Sequence, residues 1–257
     1  MKDLFSIKGK IALVTGGSRG IGEMIAAGFL SSGAKVYICS RKVEACDLAA
    51  EKLSQEFGGE CISIPTDLSN MEGIENLVKE ISNKESQLDI LINNAGTAWG
   101  APIDKYPEMG WDKVMDTNVK GVFFLTQKLL PLLRTSGSHE NPSRVVNIGS
   151  IEGIIKGSFD NFAYGPSKAA LHHLTRVLAA SLIKENIIVN AIAPGPFPTW
   201  MLSTGVGFGG KTDIDWGVVG KHNPSGRVGN MEDIAGLAIF LCSRASSYTV
   251  GQTITCD

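Results

Sequence analysis

The stretch Ile11-Ala12-Leu13-Val14-Thr15-Gly16-Gly17-Ser18-Arg19-Gly20-Ile21-Gly22 decides the fold. Its apolar half reads as a short strand, and its glycines deliver the chain into a helix expected over residues 20–32. Glycines in such a turn permit a tight bend, bring backbone N–H groups against a pyrophosphate, and let the helix pack closely on the sheet. The positive end of the helix dipole then faces the phosphates. The Gly-x-x-x-Gly-x-Gly spacing differs from the commoner Gly-x-Gly-x-x-Gly of dinucleotide folds. A glycine cluster alone is weak evidence, and its place between strand and helix gives it weight.

Outward from this turn, strand-like and helix-like segments alternate to the end of the chain. Strands are expected over residues 10–15, 35–40, 61–65, 88–93, 144–148, 187–192 and 252–256, and helices over 43–57 and 231–243 among others. The strands are continuously apolar rather than alternating, as when both sheet faces are covered. The pattern predicts an α/β fold: a Rossmann-like, doubly wound parallel sheet of about seven strands. No linker or repeat divides residues 1–257, so one domain is expected. Residues 194–226 stand apart, rich in Gly and Pro with Trp200, Phe208 and Trp216 scattered through them. A long irregular insertion of this kind reads as a substrate loop or lid.

Composition narrows the function. With 43% hydrophobic and 19% charged residues the chain is an ordinary globular one. A net charge of −2 without a basic stripe gives no reason to expect a nucleic-acid partner. No apolar run approaches the roughly 20 residues of a membrane span. The start, Met1-Lys2-Asp3-Leu4-Phe5-Ser6, lacks a signal-peptide core, so a cytoplasmic location is expected. Cys39, Cys46, Cys61, Cys242 and Cys256 show no Cys-x-x-Cys spacing and read as reduced, partly buried thiols. No metal site is expected, and His172 and His173 read as surface or interface residues.

About 20 residues beyond the glycines, an NAD-binding fold places an acid on the ribose 2′-hydroxyl. Here Ser40-Arg41-Lys42 occupies that point. Arg41 is suited to pair with a 2′-phosphate through charge-assisted hydrogen bonds, and Arg19 in the turn lies within reach of the same group. NADP(H) is therefore expected over NAD(H).

A reaction centre is expected further on. Ser150 follows the fifth strand, and Tyr164-Gly165-Pro166-Ser167-Lys168 opens the next helix. Tyr164 and Lys168, four residues apart, share a helix face. A free phenol titrates near pH ~10, and a neighbouring ammonium is expected to lower that value.

In order, these motifs resemble the short-chain dehydrogenase/reductase family over nearly the whole chain, and most of all its 3-oxoacyl-thioester reductases of the rhamnolipid-pathway type. The resemblance implies cofactor contacts from Gly16, Ser18, Arg19, Gly20, Ile21, Gly22, Arg41, Asp67, Leu68, Asn94, Ala95, Gly96, Tyr164, Lys168, Pro194, Gly195 and Thr199. Asp67 also reads as a helix cap before Met71. In the implied reaction the nicotinamide gives hydride to a carbonyl, Tyr164 donates the proton, and Ser150 holds the oxygen. Lys168 holds the nicotinamide ribose, and Asn118 supports a water-linked proton path to Lys168. Enoyl-reducing relatives separate the tyrosine and lysine more widely, so the four-residue step implies carbonyl chemistry. Trp99, Ile151 and Trp200 are expected to line a pocket for bulky apolar or 3-oxoacyl-type ketones. The weak basic rim, Arg134 and Lys184-Glu185-Asn186, argues against strict use of an acidic carrier protein.

Two departures from the pattern stand out: one residue more than usual between serine and tyrosine, and a last pair, Cys256-Asp257, beyond which relatives continue with glycines. Residues 111–133 carry apolar positions wider than one helical stripe, which with the resemblance implies a homodimer or homotetramer. The alternative is an inactive NADP(H)-binding sensor of the same fold, but such relatives lack the tyrosine or lysine present here.

Overall fold

A computed structural model describes residues 3–157, 159–205 and 214–257. Phe208 and the middle of the 194–226 insertion lie outside the described residues. In chain order the main elements are β1 (Ile11–Thr15), α1 (Gly20–Ser31), β2 (Lys35–Cys39), α2 (Val43–Phe57), β3 (Cys61–Ser63), α3 (Met71–Lys84) and β4 (Ile90–Asn93). These are followed by α4 (Glu108–Met115), α5 (Gly121–Ser136), β5 (Ser143–Ile148), α6 (Tyr164–Leu182), β6 (Ile187–Pro194), α7 (Trp216–Gly220), α8 (Met231–Cys242) and β7 (Thr253–Cys256).

The strands form one seven-stranded sheet in the order β3-β2-β1-β4-β5-β6-β7, and every pairing is parallel. Alternation of side chains splits each apolar run between two cores. Ala12 and Val14 of β1 join Val36 and Ile38 of β2 in a core closed by α1, α2 and α8. Leu13 and Tyr37, pointing the other way, join Ile74, Leu77, Leu125 and Leu129 of α3 and α5. The strands are thus apolar throughout because each face has its own layer of helices. Strand order reverses between β1 and β4, and the crevice beyond their carboxyl ends is where such sheets bind ligands.

Element boundaries differ from expectation in a few places. The strand expected over 61–65 stops at Ser63. Segment 111–133 is not one helix: α4 and α5 are joined by a π-helical turn, Asp116–Lys120, which widens the ladder by one residue per bond. The described residues of the 194–226 insertion include two short elements. These are a π turn at Met201–Gly205 and the short α7, whose first N–H groups are capped by Asp215 Oδ1.

Candidate active site

The glycine turn is shaped by what lies next to it. Gly16 and Gly20 have φ of 65° and 60°, the left-handed region that side chains avoid. A Cβ on Gly16 would stand 2.9 Å from Asn94 Nδ2. Asn94 Nδ2 donates to the carbonyls of Thr15 at 2.8 Å and Gly16 at 3.2 Å. Thr15 Oγ1 accepts the N–H groups of Asn94 and Ala95, both at 2.9 Å, and donates to Ile92 O. The end of β4 thereby clamps the turn that follows β1. The N-cap of α1 is Arg19 with extended backbone and no side-chain cap, which leaves first-turn N–H groups for a ligand.

A cavity of about 1040 Å³ opens at this crevice. Of the residues expected to bind cofactor, Gly16, Ser18, Arg19, Gly20, Ile21, Arg41, Asp67, Leu68, Asn94, Ala95, Gly96, Tyr164, Lys168, Pro194, Gly195 and Thr199 line it. Gly22 does not. A Cβ there would meet Gly16 O at 2.3 Å, so this glycine serves the packing of α1 on the turn. Asp67 is not a cap of α3. That place belongs to Asn70, whose Oδ1 accepts from Gly73 N, while Asp67 Oδ1 accepts from Ser69 N. Burial and the charge of Arg41 both lower the pKa of Arg19. Among the described residues no ion pair engages either guanidinium. A glycine cradle, an open helix N-terminus and two unneutralised arginines fit a dinucleotide carrying a 2′-phosphate.

Ser150, Ile151, Tyr164 and Lys168 line the same cavity. Ser150 caps the short turn Ile151–Gly153, its Oγ accepting from Glu152 N at 3.2 Å. Tyr164 starts α6, where Pro166 falls in the first turn and breaks no helical bond. Lys168, buried one turn on, donates from Nζ to Ile148 O at 2.7 Å and stands 5.6 Å from the centre of the Tyr164 ring.

The tyrosine does not shift in the expected direction, because burial comes first among the causes for both groups. Burial pushes the Tyr164 phenol up to about 12, against a partial opposing effect from its hydrogen bond with Ser150. Burial pushes Lys168 down to about 8. Desolvation sets the direction for both groups, and Tyr164 holds its proton at neutral pH.

Other expected residues are placed differently. Asn118, in the π-helical turn and fully buried, does not line the cavity. Its side-chain amide binds Thr97 N and O, each at 2.9 Å, and Ser167 Oγ at 3.0 Å. It ties the segment after β4 to the start of α6. Trp99, expected as a substrate contact, also lies off the cavity wall. Its ring packs over Gly110 of α4, where a Cβ would come within 2.7 Å, and Lys113 Nζ stands 5.4 Å from the ring centre. Trp200 does line the cavity, but its ring lies 4.2 Å from the Arg19 guanidinium, at the phosphate turn.

Two residues were misjudged or passed over. His172 is not a surface residue but is buried, with Nε2 3.4 Å from Ser150 N. It fills the space beside Gly149 and Gly153, where a Cβ would meet its ring at 2.0 Å and 2.7 Å. Burial, then the charges of Lys168 and Arg176, push it down to about 4. The residue one turn after Lys168 on the same helix face was the available signal. His173 is exposed beside Arg176, as expected. Glu152, two residues after Ser150, lines the cavity with its carboxylate held by Asn161 Nδ2 at 2.6 Å. Among the described residues no group of His, Cys, Asp and Glu is arranged to hold a metal ion.

Sheet order, glycine cradle and the Ser150-Tyr164-Lys168 cluster define an oxidoreductase of the short-chain dehydrogenase/reductase family, and the chain belongs to that family. Residues 16–257 match the family model described as Enoyl-(Acyl carrier protein) reductase. The chain is 49% identical over 257 residues to the rhamnolipids biosynthesis 3-oxoacyl-[acyl-carrier-protein] reductase of Pseudomonas aeruginosa, covering 100% of this chain and 98% of that one. It is 35% identical to the gluconate 5-dehydrogenase of Gluconobacter oxydans, covering 99% and 96%. The fold matches the Pseudomonas aeruginosa RhlG/NADP active-site complex with a TM-score of 0.92 at 49% identity, covering 100% and 98%. It also matches L-sorbose reductase from Gluconobacter frateurii complexed with NADPH and L-sorbose, with a TM-score of 0.89 at 30% identity, covering 99% and 97%.

Proposed function

We propose that this chain is an NADPH-dependent carbonyl reductase, reversible as an alcohol dehydrogenase, with residues 1–257 acting as one catalytic unit and 194–226 as its substrate loop. The observation that carries this reading is the convergence of Ser150, Tyr164 and Lys168 on the cavity that also holds the glycine turn and Arg41. The glycine turn and α1 would hold the pyrophosphate, Arg19 and Arg41 the 2′-phosphate, and Lys168 the nicotinamide ribose. When bound, the dihydronicotinamide supplies the hydride. Ser150 Oγ orients the substrate carbonyl oxygen, and Tyr164, neutral at physiological pH, donates its hydroxyl proton to that oxygen. An inactive sensor would have no use for this cluster, and the relatives named above are described as reductases or a dehydrogenase.

For substrate we infer a ketone with a bulky apolar or 3-oxoacyl-type arm. Ile151, Ile155, Phe159, Met201, Leu202 and Val218 give the cavity largely apolar walls. Strict dependence on an acidic carrier protein is not favoured, because Arg134 at the end of α5 is already paired with Glu185. The test is NADPH consumption with an aryl ketone, a free 3-oxo ester and a carrier-bound 3-oxoacyl chain. Turnover of the first two supports the reading. A preference of about a hundredfold for the carrier-bound form, abolished by salt, overturns the substrate assignment.

A cytoplasmic setting fits five unpaired cysteines, three of them buried. We also read the protein as a homodimer or homotetramer, since Met109 and Trp111 of α4 remain largely exposed in the single chain.

A further inference from the structure

Within a cavity whose substrate walls are mainly apolar, one carboxylate sits close to the reacting groups. Glu152 follows Ser150 by two residues in the turn that Ser150 caps, so the reacting carbonyl and this carboxylate share one wall. Its position is fixed from two sides. Asn161 Nδ2 donates to Oε2 at 2.6 Å, and Gly157 leaves it room where a Cβ would stand 2.6 Å from its Cδ. Gly157 and Asn161 line the cavity as well, so the carboxylate is held at the cavity wall. Its negative charge contributes to the raised pKa of Tyr164, which places it in electrostatic reach of the proton donor.

Asn161 is a neutral donor and leaves that charge in place. Among the described residues no ion pair includes Glu152. The cationic side chains on the cavity wall lie elsewhere: Arg19 is in the glycine turn, Arg41 and Lys42 follow β2, and Lys168 is bonded to Ile148 O. A partly buried carboxylate with a neutral partner only is stabilised by any further donor that enters, most of all a cationic one, and it opposes a second anion.

We propose that Glu152 is a specificity-determining residue that selects ketones carrying a hydrogen-bond donor, a hydroxyl or a protonated amine, and rejects ketones of the same size carrying a carboxylate. The inference rests on the carbonyl-reductase reading. It names a feature of the substrate beyond apolar bulk.

The experiment uses the full chain with NADPH and four aryl ketones of matched size, differing only in an arm that ends in an ammonium, a hydroxyl, a methyl or a carboxylate. In the unmodified protein kcat/KM falls in that order, with at least about a tenfold gap between ammonium and carboxylate, carried mainly by KM. Glu152→Gln retains an acceptor oxygen without the charge. It brings ammonium and carboxylate to within about threefold of one another while the hydroxyl arm keeps its advantage over methyl. Raising salt weakens the ammonium arm and not the hydroxyl arm. Should Glu152→Gln fail to fold, Glu152→Ala carries the test: removing the charge must close the same gap between ammonium and carboxylate. Turnover with the arm order unchanged by the substitution overturns this inference and leaves the reductase reading standing. No NADPH oxidation with any arm overturns the reductase reading and the inference together.

Discussion

The Nε2 atom of His172 lies 3.4 Å from the backbone nitrogen of Ser150, inside the pocket left by Gly149 and Gly153. To accept that N–H, Nε2 must be unprotonated, and the downward shift of His172 to about 4 keeps it so. The histidine braces from behind the residue proposed to hold the substrate oxygen. His172→Ala is expected to reduce kcat by about tenfold while leaving NADPH affinity within about twofold, because it loosens Ser150 without touching the phosphate turn. Stopped-flow turnover and cofactor fluorescence titration separate the two effects.

The same histidine gives the fold an acid limit. Its pKa is lowered on folding to about 4, so as pH falls below ~6.5 the unfolded chain takes the proton first. The stability it contributes is full above ~6.5 and is lost between there and about 4. Urea unfolding of the unmodified protein and of His172→Gln at both ends of this window should show a smaller pH-dependent loss in the variant.

Tyr164 is the proton donor in the proposed reaction, and phenylalanine keeps its ring volume. Tyr164→Phe should bind NADPH while turnover falls by about 10² or more. Retention of most of kcat would mean that another residue is the acid.

Lys168, pushed down to about 8 by burial, is charged below that pH and neutral above it. A bound anionic cofactor favours the ammonium, so NADPH affinity should weaken as pH rises through about 8, with proton uptake on binding near that pH. Calorimetry in two buffers of different ionisation enthalpy measures the uptake, and Lys168→Met should abolish that component.

Arg41 and Arg19 favour a 2′-phosphate where an acid would repel it. The enzyme should prefer NADPH over NADH by at least about tenfold in kcat/KM, a demand of about 1.4 kcal/mol. Ser40→Asp combined with Arg41→Leu should reverse the order. Equal use of NADH by the unmodified protein would contradict the assignment.

The exposed face of α4, with Met109 at 66% and Trp111 at 42% exposure, should be covered in solution. Light scattering at micromolar concentration is expected to give a dimer or tetramer. Trp111→Glu should shift that assembly toward smaller species.

The fold was legible because strand and turn chemistry are local. The apolar runs, the Gly16–Gly22 turn and the one-turn step from Tyr164 to Lys168 each carry their own periodicity. The residues that the sequence misplaced depend on what packs against them. Trp99 turns toward α4 because Gly110 leaves space for its ring, and His172 is enclosed because two glycines on the Ser150 turn make room for it. Neither glycine pairing leaves a trace in hydrophobic pattern. The tyrosine shift differs from expectation for a related reason: the spacing of a lysine is readable from i to i+4, but the burial that raises the phenol is a property of the assembled fold.

Asn94 and Thr15 join the ends of β4 and β1 across the crevice through backbone and side-chain bonds internal to the protein. None of these bonds requires a ligand, so the floor of the crevice is a fixed platform. Arg41 and Glu152, proposed to discriminate among dinucleotides and ketones, hang from its margins. A designer can therefore exchange marginal side chains to retune either preference without recutting the platform. Alteration of Thr15 or Asn94, in contrast, would disturb every ligand the enzyme accepts.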